Sequence, residues 1–313
     1  IALSAADLEA YDRDLAVVTD RLNETRPAEP IRWLYFQWVA LMYAAIYVDL
    51  YFRDRESLAA QLNAFLVEFS AKRKLALPEY TQDDLGRFSF WLATGAGKTL
   101  LLHANILQYR HYADVNAARP AAHTLVVVPN EALAKQHVGE LAKSGIRARL
   151  YQKGEMEMYA GADVLVLIIT NLLDPEPPPG GKKKAKDGDT MFDPARFGKR
   201  NLVLVDEGHR GKDDDGVWRR IRRYLGADGL TFEYSATLKE VAKPGLSALA
   251  ERVGDSQQGV GAMAREYARS IAVDYAFRRF HRDGYGKHFR VLTLATGDGE
   301  PELAMTGYLT GCL

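Results

Sequence analysis

The segment Phe88-Ser-Phe-Trp-Leu-Ala-Thr-Gly-Ala-Gly-Lys-Thr99 runs from a hydrophobic stretch through two closely spaced glycines into the apolar stretch Leu100 to Tyr109. A strand that enters a glycine turn and leaves as a helix aims several backbone N–H groups at one point, and that point favours an anion. In the turn Thr94-Gly95-Ala96-Gly97, the two glycines let the backbone curl around phosphate oxygens. The Lys98 ammonium can reach β- and γ-phosphates, and the Thr99 hydroxyl can ligate Mg²⁺. The usual first glycine of such a phosphate loop would fall at Leu92, so the sequence departs from the general pattern there.

A second hydrophobic run, Asn201 to Val205, delivers Asp206-Glu207-Gly208-His209 to its carboxyl end, the place where ligands bind in open α/β sheets. Phosphoryl transfer to water needs a carboxylate to hold Mg²⁺ and a second group to orient the attacking water. Asp206 suits the first task and Glu207 the second, with His209 placed to hydrogen-bond neighbouring loops and report nucleotide state. A third run ends in Ser235-Ala236-Thr237. Its two hydroxyls could bridge the nucleotide site to another surface, although Ser-Ala-Thr alone carries no information.

These turns need a scaffold that brings strand ends together. Short β-branched or aromatic runs predict strands over Phe88 to Ala93, His123 to Val128, Arg147 to Tyr151, Val164 to Ile169, Leu202 to Val205 and Leu230 to Tyr234. Helical patterns over Lys98 to Tyr112, Glu131 to Lys143 and Gly216 to Leu225 separate them. That alternation predicts an α/β fold, a parallel sheet with crossover helices. Before Pro78, Leu8, Tyr11, Leu15, Val18 and Leu22 recur at helical steps, and Leu58, Leu62, Phe65 and Phe69 do so again. The predicted organisation is a small helical domain over 1–77, an α/β domain over 78–245 and an extension over 246–313. The stretch 174–189, DPEPPPGGKKKAKDGD, reads as an exposed, mobile insertion.

The chain has 313 residues, 47% hydrophobic and 26% charged, so it can bury a sizeable core and is neither disordered nor collagen-like. Its 41 basic and 41 acidic side chains cancel, which removes the uniform basic field of a nucleic-acid-coating protein and leaves such contacts to local patches. The single cysteine, Cys312, allows no intramolecular disulfide, and a cytoplasmic location is the default. Trp33 to Val48 is uncharged but contains Gln37, stops at Asp49 and is too short to span a bilayer; it reads as a buried helix rather than a membrane anchor. With Ile1 at its start and an apolar stretch near Leu313, the chain reads as a fragment of something longer.

Taken in order, the motifs resemble those of the superfamily 2 helicases and translocases of the DEAD/DEAH-box type. Ala93 to Thr99 is similar to their motif I, whose loop leads with alanine, and Val127-Val-Pro-Asn130 to motif Ia. Asp206 to His209 resembles motif II and Ser235-Ala-Thr237 motif III. The resemblance implies a RecA-like domain that binds ATP and Mg²⁺ and grips nucleic acid by its backbone. Pro129, Asn130, Thr170 and Asn171 would then lie on the strand-binding side; Pro-Asn is equally a plain turn signal. Asp206-Glu-Gly-His-Arg-Gly211, Ile271 to Phe277 and Asp283-Gly-Tyr-Gly-Lys287 look similar to the motors of type III restriction subunits. That finer likeness implies DNA rather than RNA as the track and a nuclease or methyltransferase partner, with no membrane role and no implied oligomeric state.

Such motors carry an arginine finger on a second RecA-like domain, and nothing between Ala242 and Leu313 fits its usual Gln-x-x-Gly-Arg motif. Hydrolysis by this chain alone is therefore expected to be weak, since fingers contribute roughly 10³ to 10⁵ in rate. Arg278, Arg279, Arg282, Lys287 and Arg290 either contact phosphates or are salt-bridged within the protein. The lysines of 174–189 read as keeping a loop in water, and Asp213 to Asp215 as an acidic surface loop. Two other functions fit the same residues: a nucleotide-switched binding module without turnover, and a phosphate-loop NTPase unrelated to nucleic acid.

Overall fold

The computed structural model describes residues 3–73, 79–153, 164–176, 191–206, 216–236 and 270–286. Helix α1 (Ala5–Asn23) starts where Ser4 and Asp7 cap each other: Ser4 Oγ accepts the Asp7 N–H at 3.2 Å and the Ser4 N–H donates to Asp7 Oδ2 at 2.9 Å. Its Tyr11, Leu15, Val18 and Leu22 form one buried stripe, as their spacing requires. Helix α2 (Tyr35–Arg53) is buried around most of its circumference because it packs against both α1 and α4 (Lys98–Val115), which also touch each other. Helix α3 (Arg55–Arg73) buries Leu58, whereas Phe65, expected on the same apolar face, is exposed and tilts against Phe69.

Strands β1 (Arg87–Leu92), β2 (Thr124–Val128), β3 (Ala148–Leu150), β4 (Val164–Ile168), β5 (Leu202–Asp206), β6 (Leu230–Ser235) and β7 (Ile271–Tyr275) form one sheet. The order is β3-β4-β2-β5-β6-β1-β7 and every pairing is parallel. Parallel neighbours need crossovers. Helices α4, α5 (Glu131–Lys143) and α6 (Val217–Gly226) occur in three of them, and a short helix α7 (Phe277–Arg282) follows β7. Six strands fall where the apolar runs put them. β7 was not among the expected strands: it buries only Val273, so this edge strand has no apolar run to announce it.

The sheet is covered on both faces, which is why its inner strands read as near-continuous hydrophobic runs. Phe88, Phe90, Phe232, Tyr234, Val126 and Leu204 join the buried side chains of α1, α2, α4 and α5 in one continuous core. On the opposite face Leu125, Val127, Leu167, Val203 and Val205 pack against Ile221 and Leu225 of α6 and against Phe192 and Phe197. Because all strands run one way, Leu92, Val128, Ile168, Asp206, Ser235 and Tyr275 leave the sheet along a single edge. Among the described residues no helix is long and apolar enough to cross a membrane.

Candidate functional site

The turn after β1 is anchored at once: the Ala93 N–H donates to the Tyr275 carbonyl of β7 at 3.2 Å, and the Ala96 N–H returns to the Ala93 carbonyl at 3.1 Å. Gly95 (φ +83°) and Gly97 (φ +82°) both occupy the left-handed region that L side chains rarely adopt. Gly97 caps α4, its carbonyl accepting the N–H groups of Leu100 and Leu101 at 3.0 and 3.2 Å. The N–H groups that open the helix, Lys98 and Thr99 among them, therefore have no carbonyl one turn behind them and are available to an anion.

The turn is open in front and supported from behind. A Cβ added at Gly95 would meet no atom within 4 Å, whereas one at Gly97 would stand 2.5 Å from Nε2 of Gln37. Gln37 comes from the first turn of α2 and is buried. Its Nε2 donates to the Ala96 carbonyl at 2.9 Å while its Oε1 accepts the Leu34 N–H at 2.9 Å. The sequence showed Gln37 only as a polar interruption of an apolar run, and its partner emerges from the fold.

Asp206 ends β5 on the same edge. It pairs in register with Tyr234 of β6, and Tyr234 pairs with Phe90 of β1. The carboxylate-bearing residue thus stands level with Phe90 with one strand between, about 10 Å away at ordinary strand spacing. Ser235 is buried at the end of the intervening strand, and Trp91 Nε1 donates to the Ala236 carbonyl at 3.2 Å. Asp206 Oδ2 lies 2.9 Å from Nε2 of the buried His137 on α5. A helix start with a hydroxyl in its first turn (Thr99), and a carboxylate (Asp206) on the same sheet edge with one strand between, are together a donor set of amides and hard oxygens, which fits a magnesium-bound polyphosphate. Glu207, Gly208, His209 and Thr237 lie outside the described residues.

Below the edge runs a buried polar chain. Burial, then the charge of Asp206, pushes the Tyr234 hydroxyl well above the ordinary tyrosine range, so it remains a donor. It donates to Asn105 Oδ1 at 2.6 Å; Asn105 Nδ2 donates to Gln108 Oε1 at 2.8 Å, and Gln108 Nε2 to the Leu41 carbonyl at 3.0 Å. This links β6 to α4 and α2. Sequence reasoning missed it, although an amide inside the apolar stretch Leu100 to Tyr109 was a visible signal.

The remaining expected contacts lie along the same edge. Pro129 and Asn130 follow β2, and the Asn130 side chain caps α5 by accepting the Leu133 N–H at 2.9 Å. That cap is what the turn reading of Pro-Asn requires. Thr170 is exposed in the single turn Ile169–Asn171 after β4. At the start of the insertion, Asp174 receives Arg220 Nε of α6 at 3.0 Å, which holds its carboxyl below the usual range; residues 177–189 lie outside the described part. In the basic cluster Arg279 pairs with Asp274 at 3.3 Å and Arg282 with Asp283 at 3.1 Å. The salt-bridged alternative thus accounts for those two arginines, while Lys287 and Arg290 lie outside the described residues.

The family profile described as type III restriction enzyme, res subunit matches residues 55–240, more than half of the 313 residues. No curated protein matches the chain. Among solved structures, the UvsW helicase from bacteriophage T4 is 16% identical with a TM-score of 0.34, the match covering 61% of this chain and 54% of that one. The Sulfolobus solfataricus SWI2/SNF2 ATPase core in complex with dsDNA is 13% identical (TM-score 0.34; 58% and 34% covered). The Pyrococcus furiosus Hef helicase domain is 15% identical (TM-score 0.33; 61% and 34% covered). The chain spans about half the length of the first of these and about a third of the other two.

Proposed function

The chain belongs to the family of type III restriction enzyme res subunits, and from that premise we propose that it is the ATP-hydrolysing motor of a restriction or phage-defence enzyme, coupling hydrolysis to movement on DNA. Membership carries the coarser statement, a helicase-type motor domain. The finer one rests on a single geometric observation: the left-handed glycine turn heading α4 and the carboxylate ending β5 leave one sheet edge with one strand between them.

In this reading the backbone from Thr94 to Gly97 and the first N–H groups of α4 cradle the phosphates, and Gln37 keeps the turn in its binding shape from behind. The Lys98 ammonium neutralises β- and γ-phosphate charge. Thr99 and Asp206 hold Mg²⁺, which when bound supplies charge stabilisation for the departing phosphate. Glu207 orients the attacking water, and His209 passes the state of the site to neighbouring loops. Pro129, Asn130 and Thr170 line the side toward nucleic acid, where a nuclease or methyltransferase subunit would find its DNA, and the Ser235 and Thr237 hydroxyls couple that side to the nucleotide site.

The deciding experiment compares ATP hydrolysis by the intact protein with single- and double-stranded DNA and RNA at one fixed salt concentration. Stimulation by DNA above RNA supports the proposal. Nucleotide binding without stimulated turnover would make the protein a nucleotide-switched module instead, and turnover indifferent to any polynucleotide would detach it from nucleic acid.

A further inference from the structure

The phosphate turn sits inside a closed circuit of contacts that the roles above use only in part. The Ala93 N–H donates to the Tyr275 carbonyl at 3.2 Å, the Ala96 N–H to the Ala93 carbonyl at 3.1 Å, and Gln37 Nε2 to the Ala96 carbonyl at 2.9 Å. The circuit closes through rings: Phe36, the residue before Gln37, stacks on Tyr275 with centroids 4.3 Å apart and planes inclined by 10°. Each end of the turn is thus tied to one side of a single aromatic stack.

Two further rings hold that stack. Phe280 of α7 is buried and stands edge-on to Phe36 at 5.8 Å and to Tyr275 at 6.2 Å. Tyr285, 42% exposed, meets Phe36 at 5.3 Å and Phe280 at 5.9 Å. The Tyr285 N–H donates to the Phe280 carbonyl at 3.1 Å, which folds the chain back after α7, and the Tyr275 hydroxyl donates to Asp283 Oδ2 at 2.7 Å. β7 needs such a brace. Among the described strands it pairs only with β1, and it fully buries only Val273, so its own packing does little to fix the Tyr275 carbonyl. The ring contacts at its carboxyl end supply what burial does not.

We propose that the segment 275–285 is a clamp on the nucleotide turn, with Tyr275 as its positioning residue: the cluster of Phe36, Tyr275, Phe280 and Tyr285 fixes the Tyr275 carbonyl and, through it, Ala93 and the shape in which the turn receives phosphate. Gly95 and Gly97 have wide backbone freedom, so that shape is imposed from Ala93 and Ala96 at either end. Tyr275 reaches the turn through its main chain, and the clamp acts by ordering the turn before the ligand arrives. Linkage makes the effect mutual: if the packing of α7 favours the nucleotide, the nucleotide favours the packing of α7 by the same factor. The proposal rests on the reading of this turn as the nucleotide site.

Two measurements on the chain test it. Titrations with magnesium-loaded ATP and with magnesium tripolyphosphate, which has neither base nor sugar, compare Tyr285→Ala with Tyr285→Phe at an exposed position outside the buried core. Tyr285→Ala removes two ring contacts and is expected to weaken both ligands by the same factor, roughly 2- to 10-fold, while Tyr285→Phe keeps the ring and restores wild-type affinity. Amide hydrogen exchange reads the reverse direction: either ligand at saturation should slow exchange at Asp283, Gly284 and Tyr285 in the wild type, and by less in Tyr285→Ala. Unchanged affinity in Tyr285→Ala, or amides that ignore the ligand, overturns the clamp. A loss for ATP that tripolyphosphate does not share overturns it too, because the ring would then touch the base instead of setting the turn. A wild-type chain that binds neither ligand overturns the nucleotide-site reading and the clamp with it.

Discussion

Gln37 of α2 donates its side-chain amide to the main-chain carbonyl of Ala96 at 2.9 Å, so a helix preceding the α/β sheet supports the turn that opens α4. The same contact makes any side chain at Gly97 collide with Gln37. Replacing Gln37 with Leu leaves the Ala96 carbonyl without its donor in a buried place, at a cost of about 1–3 kcal/mol. Thermal unfolding should show the destabilisation, and nucleotide titration should show weaker binding. Unaltered affinity would mean that the turn keeps its shape without Gln37.

Lys98→Ala is expected to abolish measurable nucleotide binding, because the charge of the β- and γ-phosphates loses its partner. The fold should remain intact by circular dichroism. Binding equal to the wild type would remove Lys98 from the site.

Glu207→Gln in the intact protein should retain ATP and Mg²⁺ binding while turnover stops, since an amide cannot take the proton of the attacking water. Binding assays and product release measured on the same preparation separate the two effects. A mutant of full activity would take Glu207 out of the chemistry.

Tyr234→Phe removes the donor to Asn105 Oδ1 and leaves that oxygen buried among apolar side chains. A loss of about 1–2 kcal/mol is expected, read from the denaturant midpoint at unchanged slope. A neutral substitution would show that the chain from β6 to α2 contributes no stability.

His103 gives a pH dependence of defined sign. Its folded pKa is about 3 against an ordinary 6.5, mainly through burial, with His137 and Arg26 as the charged or titratable neighbours that add to it. Between those values the unfolded state binds the proton that the folded state refuses. Stability therefore rises with pH through this window, by up to about 1.4 kcal/mol per unit, and its contribution is complete above 6.5. His103→Gln should flatten the stability profile between pH 4 and pH 6.5. An unchanged slope would place the titration elsewhere.

Six of the seven strands, the start of α4 and the sheet-edge position of Asp206 were legible because a doubly covered parallel sheet writes itself as short apolar runs. β7 was not, because an edge strand with one buried side chain has no such run. The supporting polar residues were equally hidden. Gln37, Asn105 and His137 are polar residues inside helical stretches that carry no local sign of a partner, and their partners lie 59, 129 and 69 positions away. Local pattern cannot find a contact that only the folded chain creates.

The central claim is that Thr99 and Asp206 hold one metal ion on one nucleotide. A double-mutant cycle in magnesium-dependent nucleotide affinity, with Thr99→Ala, Asp206→Ala and both together, tests it most directly. The account predicts that the double mutant loses clearly less than the sum of the single losses, and that none of the variants differs once Mg²⁺ is removed. Strict additivity, or losses that persist without the metal, would contradict it.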